Sequence, residues 1–97
     1  GFTWQPIVTS NTTMESGKGY FVKTSGGAIT MTLPASPSLG DVIRIVDLGS
    51  AGTNNITVGR NSQPIMGSAA DMTIDTANAA LGLVYTDGTF GWRLLEV

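Results

Sequence analysis

Apolar and polar residues alternate one by one over short runs, and a period of two dictates strands rather than helices. In Ala28-Ile29-Thr30-Met31-Thr32-Leu33, the side chains of Ile29, Met31 and Leu33 fall on one face and those of Thr30 and Thr32 on the other. Asn55-Ile56-Thr57-Val58 and Met72-Thr73-Ile74-Asp75 repeat the pattern. The run from Asp41 to Leu48 is denser: Val42, Ile43, Ile45 and Val46 surround Arg44, which reads as a strand buried on both faces. Ala80 to Thr86 and Phe90 to Val97 form a final strand pair. No segment carries a helical stripe of useful length, because Gly67-Ser68-Ala69-Ala70 is too short and opens on glycine.

Turn residues separate these runs at short intervals. Ser16-Gly17-Lys18-Gly19 precedes a strand over Tyr20 to Thr24, and Ser25-Gly26-Gly27 joins that strand to the next as an expected hairpin. Pro34 and Pro37 have no backbone N–H to give to a ladder, so the preceding strand must end at Leu33. Asp87-Gly88-Thr89 suits a tight hairpin turn. Eight to nine short strands result, without an internal repeat at the 20–50-residue periods of solenoids. The expected fold is all-β: an antiparallel β-sandwich or β-prism-like module, intertwined or packed around a threefold axis.

The chain has 97 residues, which fits a single module. Residues 20–97 read as its core and residues 1–19 as a linking segment or first strand. Gly1-Phe2-Thr3-Trp4 reads as a chain met in mid-course, as in an excised part of a longer fibre protein. There is no cysteine, so neither disulfides nor thiolate–metal sites can supplement a small core, and self-association is the remaining support. Charged residues make up only 12% of the chain, against roughly a quarter in ordinary soluble domains. With a net charge of −2 the sequence lacks the basic footprint of a nucleic-acid binder. No apolar run has the length of a membrane span, and no signal-peptide pattern opens the chain.

Histidine is also absent. Without His or Cys, the common nucleophile–base pairs and most transition-metal sites cannot be assembled. No enzyme, cofactor or metal is therefore expected. Asp41, Asp47, Asp71 and Asp75 flank strands, where a carboxylate ordinarily serves local backbone donors. Gly17-Lys18-Gly19 and Gly49-Ser50-Ala51-Gly52 lack the following helix of a phosphate loop and read as turns. Asn11-Thr12-Thr13 and Asn55-Ile56-Thr57 match the glycosylation sequon, which has meaning only in a eukaryotic secretory context. Trp92 reads as a packing residue and Trp4 as the ring more open to a partner. Arg44 needs a carboxylate if buried, with Asp47, Asp41 or a neighbouring subunit as candidates, or else it stands on an exposed edge.

The segment Tyr20-Phe21-Val22-Lys23-Thr24-Ser25-Gly26-Gly27-Ala28-Ile29-Thr30-Met31-Thr32-Leu33-Pro34-Ala35-Ser36-Pro37 resembles the Y-x-V-x-T-S-x-G-A-x-T-x-T-L-P-A-S-P opening of small β-rich modules in bacteriophage tail fibres and other virion structural proteins. The likeness continues through Gly40 to Asp47, Thr53 to Asn61, Ile65-Met66-Gly67, Leu83-Val84-Tyr85 and Gly91-Trp92-Arg93, and leaves residues 1–19 outside it. It implies a virion protein, a homotrimer around a fibre axis that can serve host attachment, located in the extracellular phage particle. It carries over no catalytic residue.

Three structural roles compete within that frame: a tail-fibre or spike module, a capsid decoration or head-fibre protein, and a glycan- or receptor-binding tip. The tip would use Trp4 and the loops Thr53-Asn54-Asn55 and Asn61-Ser62-Gln63 as its surface. Expected partners are copies of the same chain, other virion proteins and a host-surface glycan or receptor, without nucleic acid or membrane insertion. A depolymerase is the remaining enzymatic alternative.

Overall fold

A computed structural model describes residues 2–96, so Gly1 and the Val97 end of the last expected strand lie outside it. Nine strands and no helix occur among these residues: β1 (Thr3–Trp4), β2 (Thr12–Thr13), β3 (Lys18–Val22), β4 (Ile29–Thr32), β5 (Val42–Asp47), β6 (Ile56–Gly59), β7 (Met72–Ile74), β8 (Ala80–Tyr85) and β9 (Trp92–Glu96). They form a five-stranded sheet in the order β1-β3-β5-β8-β9 and a four-stranded sheet in the order β2-β4-β6-β7.

Both sheets are mixed, which corrects the antiparallel expectation. β1 with β3, β3 with β5, β2 with β4, and β4 with β6 are parallel pairs. Only β5 with β8, β6 with β7, and β8 with β9 are antiparallel. From β1 to β6 the chain alternates between the sheets, so it winds around a shared interior before antiparallel strands close the coil, β7 on the four-stranded sheet and β8 and β9 on the five-stranded sheet. Parallel neighbours need a long crossover. Here the crossover from β3 to β5 is residues 23–41, which lay down β4 in the opposite sheet on the way.

The Ser25-Gly26-Gly27 turn is therefore a corner between sheets, not a hairpin. Gly27 N–H closes it on the Thr24 carbonyl at 3.0 Å. The proline-bearing segment 33–41 makes the return crossing, held by Gly40 N–H on the Tyr85 carbonyl at 2.9 Å. The expected final hairpin forms, with a loop that is wider than a two-residue turn. Asp87 accepts from Thr89 and Phe90 N–H through Oδ1, and from Gly91 N–H through its carbonyl.

The alternating residues meet in one apolar layer. Tyr20, Val22, Ile43, Ile45, Leu83, Tyr85 and Trp92 enter it from the five-stranded sheet, and Ile29, Met31, Ile56, Val58 and Ile74 from the four-stranded sheet. Met14, Leu33, Ala51 and Ile65 seal its ends from the connections. Residues before Tyr20 are thus part of the fold: they supply β1, β2 and the fully buried Met14. Trp92 is completely buried with its ring 5.3 Å from that of Tyr85, as its packing reading requires. The chain exposes 4944 Å², close to the about 5,300 Å² expected of a monomer of this size, so one copy shelters its own interior.

Gly91 holds φ at 68°, and a Cβ there would stand 2.0 Å from the Pro64 carbonyl oxygen. Both the left-handed backbone and the collision oppose any side chain. Gly91→Ala is expected to cost at least about 2 kcal/mol in urea unfolding, whereas Gly26→Ala, with open space around it, should stay within about 0.5 kcal/mol of wild type.

Candidate functional site

The two outer faces differ in chemistry because the two sets of outward positions differ. On the four-stranded sheet the register aligns Thr13 with Thr32, and Thr30 with Thr57 and Thr73. Their inward neighbours Met31, Ile56, Val58 and Ile74 are in the core, so these threonines form a hydroxyl-bearing, uncharged outer surface.

On the five-stranded sheet the outward row runs Trp4, Gly19, Arg44, Gly82 across four adjacent strands. The two glycines let their large neighbours lie down on the sheet. A Cβ on Gly19 would stand 2.5 Å from Cε3 of Trp4, and one on Gly82 would stand 3.3 Å from Nη1 of Arg44. The Trp4 ring stacks on Phe21 at 4.6 Å and meets Phe2 edge-on at 5.5 Å. The Arg44 guanidinium lies 5.8 Å from the centre of the Phe2 ring. Trp4, Arg44, Val46, Ala80 and Leu81 line a shallow groove of about 180 Å³ on this face.

Arg44 and Asp47 occupy opposite faces of β5, which corrects the expected pairing. Three residues apart on a strand is an odd step, and an odd step reverses the side. Asp47 points inward, is 3% exposed, and accepts through Oδ2 from the N–H groups of Gly49, Ala51 and Asn78 at 3.0, 3.2 and 2.9 Å. It bolts the corner after β5 to the segment before β8. Arg44 is half-buried on the outer face of a central strand, so the edge alternative does not hold either. The outer face of β5 is half-covered rather than buried.

The two polar loops lie at opposite ends of β6, separated by its four residues. The Asn54 amide donates to the Thr24 carbonyl at 2.8 Å and the Asn61 amide to the Leu33 carbonyl at 2.9 Å. Gln63 accepts the Tyr85 hydroxyl at 2.7 Å, while Thr53, Asn55 and Ser62 are exposed. Trp4 is separate from both loops, on the aromatic end of the five-stranded sheet. The residue signals that would have revealed this face were Gly19 and Gly82; Gly19 reads as a turn glycine and Gly82 as a strand glycine until the register places them beside Trp4 and Arg44.

Asp41 and Asp71, like Asp47, serve the backbone. Asp41 accepts from Ser38 N–H and Asp71 from Arg60 N–H, at 2.8 and 2.9 Å. Among the described residues no group of three or more His, Cys, Asp or Glu is placed to hold a metal ion. The exposed Glu15 and Lys18 pair lowers the Glu15 carboxyl below its usual range through the Lys18 hydrogen bond, and raises Lys18 through the same bond. No protein-family model matches this chain, and no curated protein matches it.

Removing the Asp47 carboxylate strands three N–H groups, each orphan costing about 1–3 kcal/mol. Asp47→Ala is expected to lose about 2–4 kcal/mol in denaturant unfolding. Asp47→Asn should lose less, because an amide oxygen still accepts. Gly19→Ala should lift Trp4 off the sheet while Trp92 stays buried, so acrylamide should quench a larger fraction of the tryptophan emission. Unchanged quenching would mean that the indole does not depend on the glycine.

Proposed function

We propose that this chain is a structural module of a bacteriophage virion, part of a tail fibre or spike, which assembles as a homotrimer and contributes to host attachment. The observation that carries this reading is the winding of β1 to β6. A chain that passes alternately between two sheets adds parallel strands in step along one direction, and such coils build extended shafts by stacking. The ordered likeness from Tyr20 to Trp92 supports the same reading.

The chemistry is consistent with a role played by shape. The described carboxylates that accept hydrogen bonds from backbone N–H groups are spent on turns and corners, and the sequence offers no His or Cys to act as base or nucleophile. The reading therefore assigns no catalysis to the chain. Its apolar outer face is a surface for neighbours and its hydroxyl-rich face a surface for solvent, which is what a fibre segment needs.

Sedimentation equilibrium or native mass spectrometry at micromolar concentration should give three times the chain mass. A single-chain mass that persists to the highest soluble concentration would overturn the trimer. Binding to purified capsids that lack tails would move the module from the tail to the head.

A further inference from the structure

We infer that copies of this chain meet through the outer face of the five-stranded sheet, leaving the threonine face of the four-stranded sheet in solvent. The inference rests on the self-assembling reading above and adds the surface. Eight large apolar side chains are exposed among the described residues; Leu39, Met66 and Phe90 are on connections, and the other five gather on or beside one face. Phe2, Trp4 and Leu95 lie on this outer face. Ile7 and Leu48 join its margin, since each neighbours an inward residue, Val8 and Asp47, on strand-like backbone paired to β3. Their exposures run from 41% to 58%.

The area matches a copy-to-copy contact. At roughly 200 Å² for each ring and somewhat less for each aliphatic side chain, about half-exposed, the five present on the order of 400–500 Å² of apolar surface. A stable interface takes about 800 Å² from each partner, of which about 60% is apolar, so the demand is also on the order of 500 Å². A patch of this extent is at the upper end of what monomers leave uncovered.

The shape of the face selects another sheet as its occupant. With Trp4 flattened over Gly19 and Arg44 over Gly82, the face has no tall residue in its central row. Flat sheet faces pack against one another, and in a homotrimer each copy turns this face toward the common axis, so that the faces of the other two copies cover it. A net charge of only −2 per chain puts little repulsion between copies.

The edges of the same sheet are poorer alternatives. Thr3 and Gln5 donate to the β3 side, so Trp4 presents its backbone outward, and the next outward position is Pro6, which has no N–H. On the far edge, β9 is already engaged: Met66 N–H donates to the Trp92 carbonyl at 2.7 Å and Trp92 N–H to the Pro64 carbonyl at 2.9 Å.

Because the chain has no cysteine, single substitutions Leu48→Cys, Leu95→Cys and Thr73→Cys give one thiol each. In the assembled protein, maleimide labelling of the first two should be about tenfold slower than that of Thr73→Cys, with the difference lost on unfolding. The double variant Ile7→Asp/Leu95→Asp should fall to the single-chain mass with an unchanged far-UV spectrum, while Thr73→Asp keeps the wild-type mass. Equal labelling rates in a protein that is still oligomeric would overturn this face and leave the fibre reading standing. A wild-type chain that is monomeric throughout would overturn both. If the double variant does not fold, the labelling rates decide alone.

Discussion

One apolar layer, shared between two sheets, is what the rest of this structure depends on. Buried apolar side chains from β3, β4, β5, β6 and β8 enter the same cluster, with Met14 and Leu33 fully buried at its margins. The layer is continuous because the chain crosses from one sheet to the other at each turn of the coil. A strand in one sheet therefore has its successor facing it, not beside it. Large side chains such as Met31, Ile45 and Trp92 interlock across that gap, and each is worth about 2–5 kcal/mol against truncation to alanine. This packing allows a cysteine-free chain of 97 residues to hold together without a covalent staple.

The corners are then the places under most demand. They must reverse the chain between layers while keeping backbone groups satisfied. Asp47 answers this at the end of β5 by gathering three N–H groups on one oxygen. Asn54 and Asn61 answer it by donating to carbonyls at Thr24 and Leu33, across to the neighbouring coil. Asn54, Asn61 and Gln63, three of the polar residues that look like a recognition surface in the sequence, fasten the fold, while Thr53, Asn55 and Ser62 stay exposed. Between the corners the coil leaves threonines outward on one side, and an aromatic and aliphatic floor on the other.

Much of this was legible from residue order, and the part that was not has a specific cause. Period two identifies strands and their inward residues, so Ile29, Met31, Ile43, Ile45, Ile56 and Val58 were all readable as core. Period two is blind to pairing direction, because an inward residue is inward whether its neighbour runs parallel or antiparallel. Ser25-Gly26-Gly27 reverses the chain equally well into a hairpin or around a corner, and only the burial of both flanking strands in opposite sheets distinguishes them. The Arg44–Asp47 pairing failed on parity, which could have been counted: a step of three changes faces. Trp4 reads as an open ring from the sequence, but its partners do not follow from residue order, since Gly19 is far along the chain and becomes its neighbour only through the β1–β3 register.

Parity also explains why the two outer faces diverge. An inward position in a coil of this kind is constrained by packing, so its composition is similar in both sheets. An outward position is free of the core, and its composition records what it meets. Threonine at Thr13, Thr30, Thr32, Thr57 and Thr73 keeps strand propensity while presenting a hydroxyl to water. Phe2, Trp4, Phe21 and Val46 gain nothing from water, and the glycines beside them are costly in a strand unless something must lie flat there. Gly19 and Gly82 weaken β3 and β8, and the return within one chain is only the flattening of Trp4 and Arg44. The smoothness that these two glycines give is on the face where the apolar area already lies, and the proposed contact between copies rests on that coincidence.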